Sequence, residues 1–124
     1  MANPHEKELH YPLADTVPEP GEVIDIAPGV RWLRMGLPFA LDHINLWLLE
    51  DGDGWTIVDC GITNDATKAA WEQVFASALQ GKPVTRVIAT HMHPDHLGLA
   101  HWLTERWQCR LWISATDYNA ARLA

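Results

Sequence analysis

Thr90-His91-Met92-His93-Pro94-Asp95-His96 is the stretch around which the rest of this 124-residue sequence is organised. It places three imidazoles and one carboxylate within six residues, a density that a protein domain seldom reaches without a metal to hold. Transition metals such as Zn²⁺ accept imidazole nitrogen and carboxylate oxygen together as ligands. The stretch therefore predicts a binding loop for one or two metal ions.

The loop is flanked by a predicted strand and a predicted helix. Residues 84–90 are rich in β-branched side chains, which is typical of a strand. Pro94 suits the first position of a helix, and apolar residues at helical spacing continue from there to Trp107. The metal loop is therefore expected at a junction between a strand and a single helix.

A helix is also predicted before that strand. Apolar residues recur at helical spacing over residues 65–80, with Thr63 or Asn64 available as the N-cap and Gly81 ending the helix. Because residues 55–60 form another predicted strand, the order strand, helix, strand predicts a right-handed crossover between parallel strands. Open α/β sheets bind their ligands at the carboxyl ends of such strands, which is where the loop lies.

Two β-hairpins are predicted ahead of the crossover. One pairs residues 23–26 with 30–35 across a Pro-Gly turn, and the other pairs residues 44–50 with 55–60 across Asp51-Gly52-Asp53-Gly54. The strands of the second hairpin are almost continuously apolar. This pattern predicts strands that are covered on both faces.

The two ends of the chain differ in composition. Residues 1–21 contain four prolines among charged residues, which predicts an extended or mobile lead-in to a domain over residues 22–124. At the other end, residues 109–114 form a further predicted strand. A final helix is predicted to begin at Thr116 or Asp117.

Composition excludes several classes of protein. A hydrophobic content of 48% in 124 residues is enough for one core, and seven tryptophans predict that this core is rich in indole rings. The formal charge of −7 makes nucleic acid an unlikely partner. The sequence has neither a signal peptide nor an apolar run long enough to span a membrane, and its two cysteines suggest a reducing compartment. We therefore expect a cytoplasmic protein.

Residues Thr90–Gly98 resemble the His-x-His-x-Asp-His signature of the metallo-β-lactamase superfamily. Val58-Asp59-Cys60-Gly61 is similar to the Asp-Thr-Gly that ends a strand in that family, and the order of the predicted elements agrees over residues 23–124. The resemblance implies an α/β (α+β) fold, namely the first half of an αβ/βα sandwich. In that half, a mixed sheet with β-hairpins carries flanking helices.

The residues of the loop divide into two groups. In an extended segment alternate residues point the same way, so His91, His93 and Asp95 can converge, while His96 must point elsewhere. The resemblance implies that His91 and His93 bind a first metal and that Asp95 and His96 bind a second. It also implies that Asp95 handles a proton and that Asp59 orients a ligand imidazole without binding a metal itself. Two zinc ions per intact site are expected, with iron or manganese as alternatives.

Some residues admit a simpler interpretation. Asp59 can make a local turn at the end of a strand, and Cys60 can be a buried thiol that never approaches the metals. His43 can face the site or lie exposed at the start of a strand, and residues 37–41 before it can be an apolar wall or a plain hairpin connection. His101 is expected at the surface. Substrate-binding residues are not predicted.

The sequence departs from the family pattern in its second half. The family supplies further ligands there, whereas this chain has no histidine after His101, and Asp117 is the only carboxylate beyond Glu105. The resemblance therefore covers the N-terminal half of the fold only. We expect either a piece of a longer protein or a truncated product that pairs with another chain, with a site that is empty or partly occupied.

The expected function is that of a metal-dependent hydrolase. In it, a metal-bound hydroxide attacks a small-molecule ester, thioester or lactone, as in the hydroxyacylglutathione hydrolases. The 124-residue chain by itself is expected to be inactive because ligands are missing. The alternative is a non-catalytic half-domain that binds metal incompletely or assembles with another chain. Under either hypothesis, an uncovered sheet face predicts self-association.

Overall fold

A computed structural model describes residues 3–124 of the protein. It contains six strands and four α-helices, after a single 3-10 turn at Glu6–Glu8. The strands are β1 (Ile24–Ala27), β2 (Val30–Gly36), β3 (His43–Asp51), β4 (Gly54–Val58), β5 (Val84–Ile88) and β6 (Arg110–Trp112). The helices are α1 (Asp65–Ser77), α2 (Pro94–Leu97), α3 (Ala100–Trp107) and α4 (Ala115–Leu123). None of the helices in this part of the chain is long and apolar enough to cross a membrane.

All six strands form one mixed sheet in the order of the sequence. Strands β1 to β4 pair antiparallel as consecutive hairpins, whereas β4, β5 and β6 pair parallel. The hairpin turns fall at Gly29 and Gly52, whose φ angles of +73° and +60° suit glycine. The predicted mixed sheet, with two hairpins and a parallel crossover through α1, is confirmed.

One face of the sheet is covered by α1 and α3. Leu46 of β3, Ile57 of β4 and Val87 of β5 have no solvent exposure, and they share one core cluster with Trp71 of α1 and Leu103 of α3. The buried indole of Trp71 donates to the carbonyl oxygen of Cys60 at 2.7 Å, which satisfies the polar group that would otherwise be orphaned. This face is the hydrophobic core of the described chain.

The opposite face carries a cross-strand row of apolar side chains that is not part of the core cluster. One residue from each strand lies in register with the next, and we call this set the open-face row. Its members are Ile24, Trp32, Trp47, Val58, Ile88 and Trp112. They range from half-buried to exposed, Trp112 most of all. The prediction that both faces of the second hairpin are covered is therefore wrong for β3, where burial alternates along the strand.

The remaining differences from the sequence predictions have local causes. The predicted helix from Pro94 to Trp107 is interrupted after Gly98, because Leu99 leaves the helical conformation and donates its N–H to the carbonyl oxygen of Gly61 at 3.2 Å. Helix α1 ends at Ser77, three residues earlier than predicted, since Gln80 adopts a φ of +56°. Asn64 is its N-cap and accepts the Thr67 N–H at 2.8 Å, as one of the two predicted alternatives.

Residues 3–21 are mostly exposed. They contain a 3-10 turn at Glu6–Glu8. Met1 and Ala2, the first residues of the predicted lead-in, lie outside the described residues. The division of the chain into residues 1–21 and 22–124 stays a prediction.

Candidate functional site

The histidine-rich loop lies at the carboxyl edge of the parallel part of the sheet. It follows β5 directly, next to the point where β4 ends at Val58. Two backbone hydrogen bonds join the strand ends at this edge: the Asp59 N–H donates to Ile88 O at 2.8 Å, and the Ala89 N–H donates to Trp112 O at 3.0 Å. The loop therefore emerges from a rigid base, as expected for a site in an open α/β sheet.

Asp59 is the buried centre of this edge. Its backbone adopts the left-handed φ of +67°, which aspartate tolerates better than most residues, and only 4% of its surface is exposed. Its carboxylate accepts the Thr90 N–H at 2.8 Å and the Thr90 hydroxyl at 2.9 and 3.0 Å. It also lies 2.8 Å from Nδ1 of His96. Three donors, the Thr90 N–H, the Thr90 hydroxyl and Nδ1 of His96, thus compensate the burial of one negative charge.

The bond to Asp59 decides which nitrogen of His96 is free. A carboxylate only accepts, so Nδ1 of His96 donates, and the Nε2 lone pair is left available. Nε2 points toward Asp95, whose Oδ2 is 3.5 Å away. A histidine oriented by a carboxylate in this way is typical of metal-binding imidazoles.

The three imidazoles of the loop lie against one another. The ring centroids of His91 and His96 are 4.0 Å apart, and those of His91 and His93 are 4.7 Å apart. All four residues predicted as ligands are thus in one cluster, with His93 exposed and the other three half-buried. The ring of His91 lies nearer to that of His96 than to that of His93, so the prediction that His96 points elsewhere is wrong, because residues 90–92 bend and residues 94–97 form helix α2 and not an extended segment.

The donor types fit a divalent transition metal, but their orientation is not that of a formed site. Within residues 3–124, no three His, Cys, Asp or Glu side chains converge closely enough to hold an ion. One reason is visible at His91, whose Nδ1 is 2.8 Å from the Thr90 hydroxyl. A metal would be held here only after side chains turn toward a common centre.

Asp117 of α4 is a member of this site that the sequence analysis did not place. Its Oδ1 accepts the backbone N–H of Met92 at 3.1 Å, and its Oδ2 accepts the Ser114 hydroxyl at 2.6 Å. The Ser114 bond, followed by the Met92 N–H and the nearby rings of His91 and His93, lowers the pKa of the Asp117 carboxyl. In the sequence, the pattern Ser-x-x-Asp at a helix start indicates a helix cap, but it gives no information about the contact of Asp117 with the loop.

The side chains of the other residues considered from the sequence have neighbours outside the imidazole cluster. Cys60 belongs to the core, as in the simpler of its two interpretations, and burial raises the pKa of its thiol. His43 lies at the start of β3 with Nδ1 2.7 Å from Asp42. His101 is at the surface as predicted, where it pairs with Glu105 at 3.0 Å.

A family model described as "Metallo-beta-lactamase superfamily" matches residues 40–123, which include the imidazole cluster, Asp59 and Asp117. The chain belongs to the metallo-β-lactamase superfamily. The matched region contains the end of β4 with Asp59 after it, the crossover through α1 and the loop after β5. The family resemblance found in the sequence is therefore confirmed.

Relatives within this superfamily are longer than the chain. "Probable metallo-hydrolase YqjP" of Bacillus subtilis (strain 168) is 35% identical over 68 residues, which cover 54% of this chain and 21% of that protein. A beta-lactamase domain protein from Burkholderia ambifaria has 55% identity and a TM-score of 0.91, over 98% of this chain and 38% of the other. A metallo-beta-lactamase family protein from Thermus thermophilus has 28% identity and a TM-score of 0.66, over 76% of this chain and 31% of the other. The chain thus spans well under half of each of these proteins.

Proposed function

We propose that the protein is a metal-dependent hydrolase that acts on a small-molecule ester, thioester or lactone. The observation that carries this proposal is the pairing of buried Asp59 with His96, which leaves Nε2 of His96 free beside the ring of His91. Membership of the metallo-β-lactamase superfamily supports it, as does the similarity to a probable metallo-hydrolase.

The ligands proposed for a first metal are His91 and His93, and those for a second metal are Asp95 and His96. Zinc is the expected ion, because imidazole with carboxylate is a donor set that it favours, and iron or manganese would accept the same donors. A bound metal would supply Lewis acidity to polarise a scissile carbonyl group. Two metals need more donors than these four residues provide, so we propose that the 124-residue chain alone is inactive.

The chain's own residues would orient donors and move protons. Asp59 holds the Nδ1 proton of His96 and so fixes the tautomer in which Nε2 can bind a cation. We assign Asp95 a role in proton transfer, since its Oδ2 lies 3.5 Å from Nε2 of His96.

The substrate class is the least specific part of the proposal. The loop between β2 and β3 exposes Phe39 and Leu41. Strand β3 pairs its Trp47 with Val58 at the end of β4, and it begins four residues before Trp47, at His43. This loop therefore projects at the same edge as the imidazole cluster and can supply an apolar wall. A thioester of the hydroxyacylglutathione type would place an acyl group there. The acidic net charge disfavours nucleic acid, and two free thiols favour the cytoplasm.

Metal content and turnover of single variants test the proposal. We expect His96→Ala to lose most of the bound zinc and to abolish hydrolysis of an acylglutathione thioester, a p-nitrophenyl ester and an acyl lactone by the intact protein. His101→Ala is the matched control, because it removes an exposed imidazole that pairs only with Glu105. Hydrolysis by His96→Ala at the rate of His101→Ala would refute the metal-dependent mechanism.

A second candidate function is that of a non-catalytic half-domain that assembles with a second copy of itself. The observation that favours it is the open-face row, which runs unbroken across six strands and includes three tryptophans. Two such rows can pack face to face about a two-fold axis, at the spacing of stacked sheets. One metal shared by two chains would support assembly, whereas two metals per intact protein with turnover would support the hydrolase.

A further inference from the structure

The histidine-rich loop is held by carboxylates from two sides. Asp59, at the end of β4, accepts hydrogen bonds from Thr90 and His96 of the loop. Asp117, in the first turn of α4, accepts a hydrogen bond from the backbone N–H of Met92 in the same loop. Met92 is the residue between His91 and His93, so this second contact lies between the two ligands proposed for the first metal.

The position of Asp117 is determined by two neighbouring elements. Strand β6 pairs parallel with β5, and Ala89 donates its N–H to Trp112 O, which brings the start of α4 beside the loop. Ser114 then caps α4 by accepting the Asp117 N–H at 3.1 Å, and its hydroxyl donates to Oδ2 of Asp117. The second carboxylate oxygen is thereby directed at Met92.

Helix capping alone does not explain this arrangement. In a capping box, the acidic side chain at the third helical position reaches back to the backbone N–H of the capping residue. Asp117 occupies that position, but its Oδ1 accepts the N–H of Met92, 25 residues earlier in the chain. Helix α4 has no buried residues, so the contact also does not serve to anchor a core helix.

A bond to the Met92 N–H fixes the orientation of the peptide between His91 and Met92. The rings of His91 and His93, on either side of Met92, lie with their centroids 4.7 Å apart, which keeps both within reach of one ion. A carboxylate beside both rings also favours a cation between them.

We propose that Asp117 is a positioning residue for metal binding, which holds His91 and His93 as a pair and contributes negative charge beside them. This inference rests on the proposed metal site of the hydrolase. Removing partners that orient metal ligands typically weakens metal affinity about 10- to 100-fold. We expect Asp117→Ala to weaken zinc affinity by about that factor.

The test measures zinc affinity of the full protein by competition with a chromophoric chelator, together with the absorption spectrum of the cobalt-substituted form. Glu105→Ala is the matched control, because it removes a carboxylate from an exposed helical position, where Glu105 pairs with His101. Asp117→Asn keeps an acceptor oxygen and removes the charge, so its affinity should lie between those of Asp117→Ala and the wild type. Amide hydrogen exchange at Met92 should accelerate in Asp117→Ala and not in Glu105→Ala.

The possible outcomes separate the two proposals. If the wild-type protein binds no metal, both the hydrolase and the role of Asp117 are wrong. If the wild type binds zinc and Asp117→Ala binds it as tightly as Glu105→Ala does, only the role of Asp117 is wrong. If Asp117→Ala does not fold, Asp117→Asn decides, because an affinity and a cobalt spectrum equal to those of the wild type would overturn the role of the charge.

Discussion

The two faces of the sheet differ although the same strands build both. Leu46 and Trp47 are neighbours in β3, yet Leu46 is fully buried under the helices and Trp47 belongs to the open-face row. Side chains alternate between the faces of a strand, so the burial of each residue depends on what packs on its side. Helices α1 and α3 cover the first face, and neither contributes to the row on the second.

Buried apolar side chains, and the stability that their burial supplies, are therefore concentrated on one face of the sheet. The covered face supplies the burial that stabilises the described chain, whereas the open face has apolar area left for another surface. The candidate site lies where β4 and β5 end, and its carboxylate Asp59 is connected to the covered face through Cys60 and Trp71. Three predictions test the comparison.

The largest effect is expected from Leu46→Ala on the covered face. Removing a fully buried leucine leaves a cavity among core side chains and should lower the free energy of unfolding by about 2–5 kcal/mol. Urea denaturation at low protein concentration measures it. Trp47→Ala is the matched variant from the adjacent position, and its unfolding should change by less than about 1 kcal/mol in the monomer. Equal losses in the two variants would show that the faces do not differ.

A smaller effect, this time from a change on the open face, is expected on self-association. If two copies meet through the open-face row, Trp47→Ala removes a large aromatic contact and should weaken the association by about tenfold or more. Sedimentation velocity over a range of concentrations measures the dissociation constant. Phe39→Ala serves as the control, because it removes an exposed aromatic side chain from a loop outside the row. Unchanged association of Trp47→Ala would exclude this face as the contact between copies.

The smallest effect is expected at the start of α1, the helix that covers the core. Asn64→Ala deletes the bond to the Thr67 N–H and should lower the free energy of unfolding by about 1 kcal/mol. Thermal unfolding monitored by circular dichroism measures the loss. Asn64→Ser retains an oxygen acceptor at the cap and should restore most of the stability. A loss as large as that of Leu46→Ala would mean that the cap does more than satisfy one N–H group.

Much of the fold and part of the site follow from local sequence. The histidine spacing, the Asp51–Gly54 turn and the Asn64 cap each depend on residues within a few positions of one another, where chain geometry leaves few alternatives. The family was predicted from such local patterns and is confirmed by the match over residues 40–123. The mixed sheet follows from the same patterns, because a helix between two strands favours parallel pairing.

The errors occurred where distant segments meet. The break after Gly98 depends on the carbonyl oxygen of Gly61, and a sequence period gives no information about that contact. The exposure of one face of β3 was missed for a related reason. A continuous apolar run shows that both faces suit burial, but not whether any element packs on each of them.

The sequence by itself determined the donor types of the site, because three imidazoles and two carboxylates are properties of residues 59 and 91–96 alone. Only the tertiary structure decided how those donors are held. The contact of Asp59 with His96 spans 37 residues, and that of Asp117 with Met92 spans 25. Both contacts exist because β4, β5 and β6 lie side by side and parallel, so that segments far apart in the chain end at one edge of the sheet.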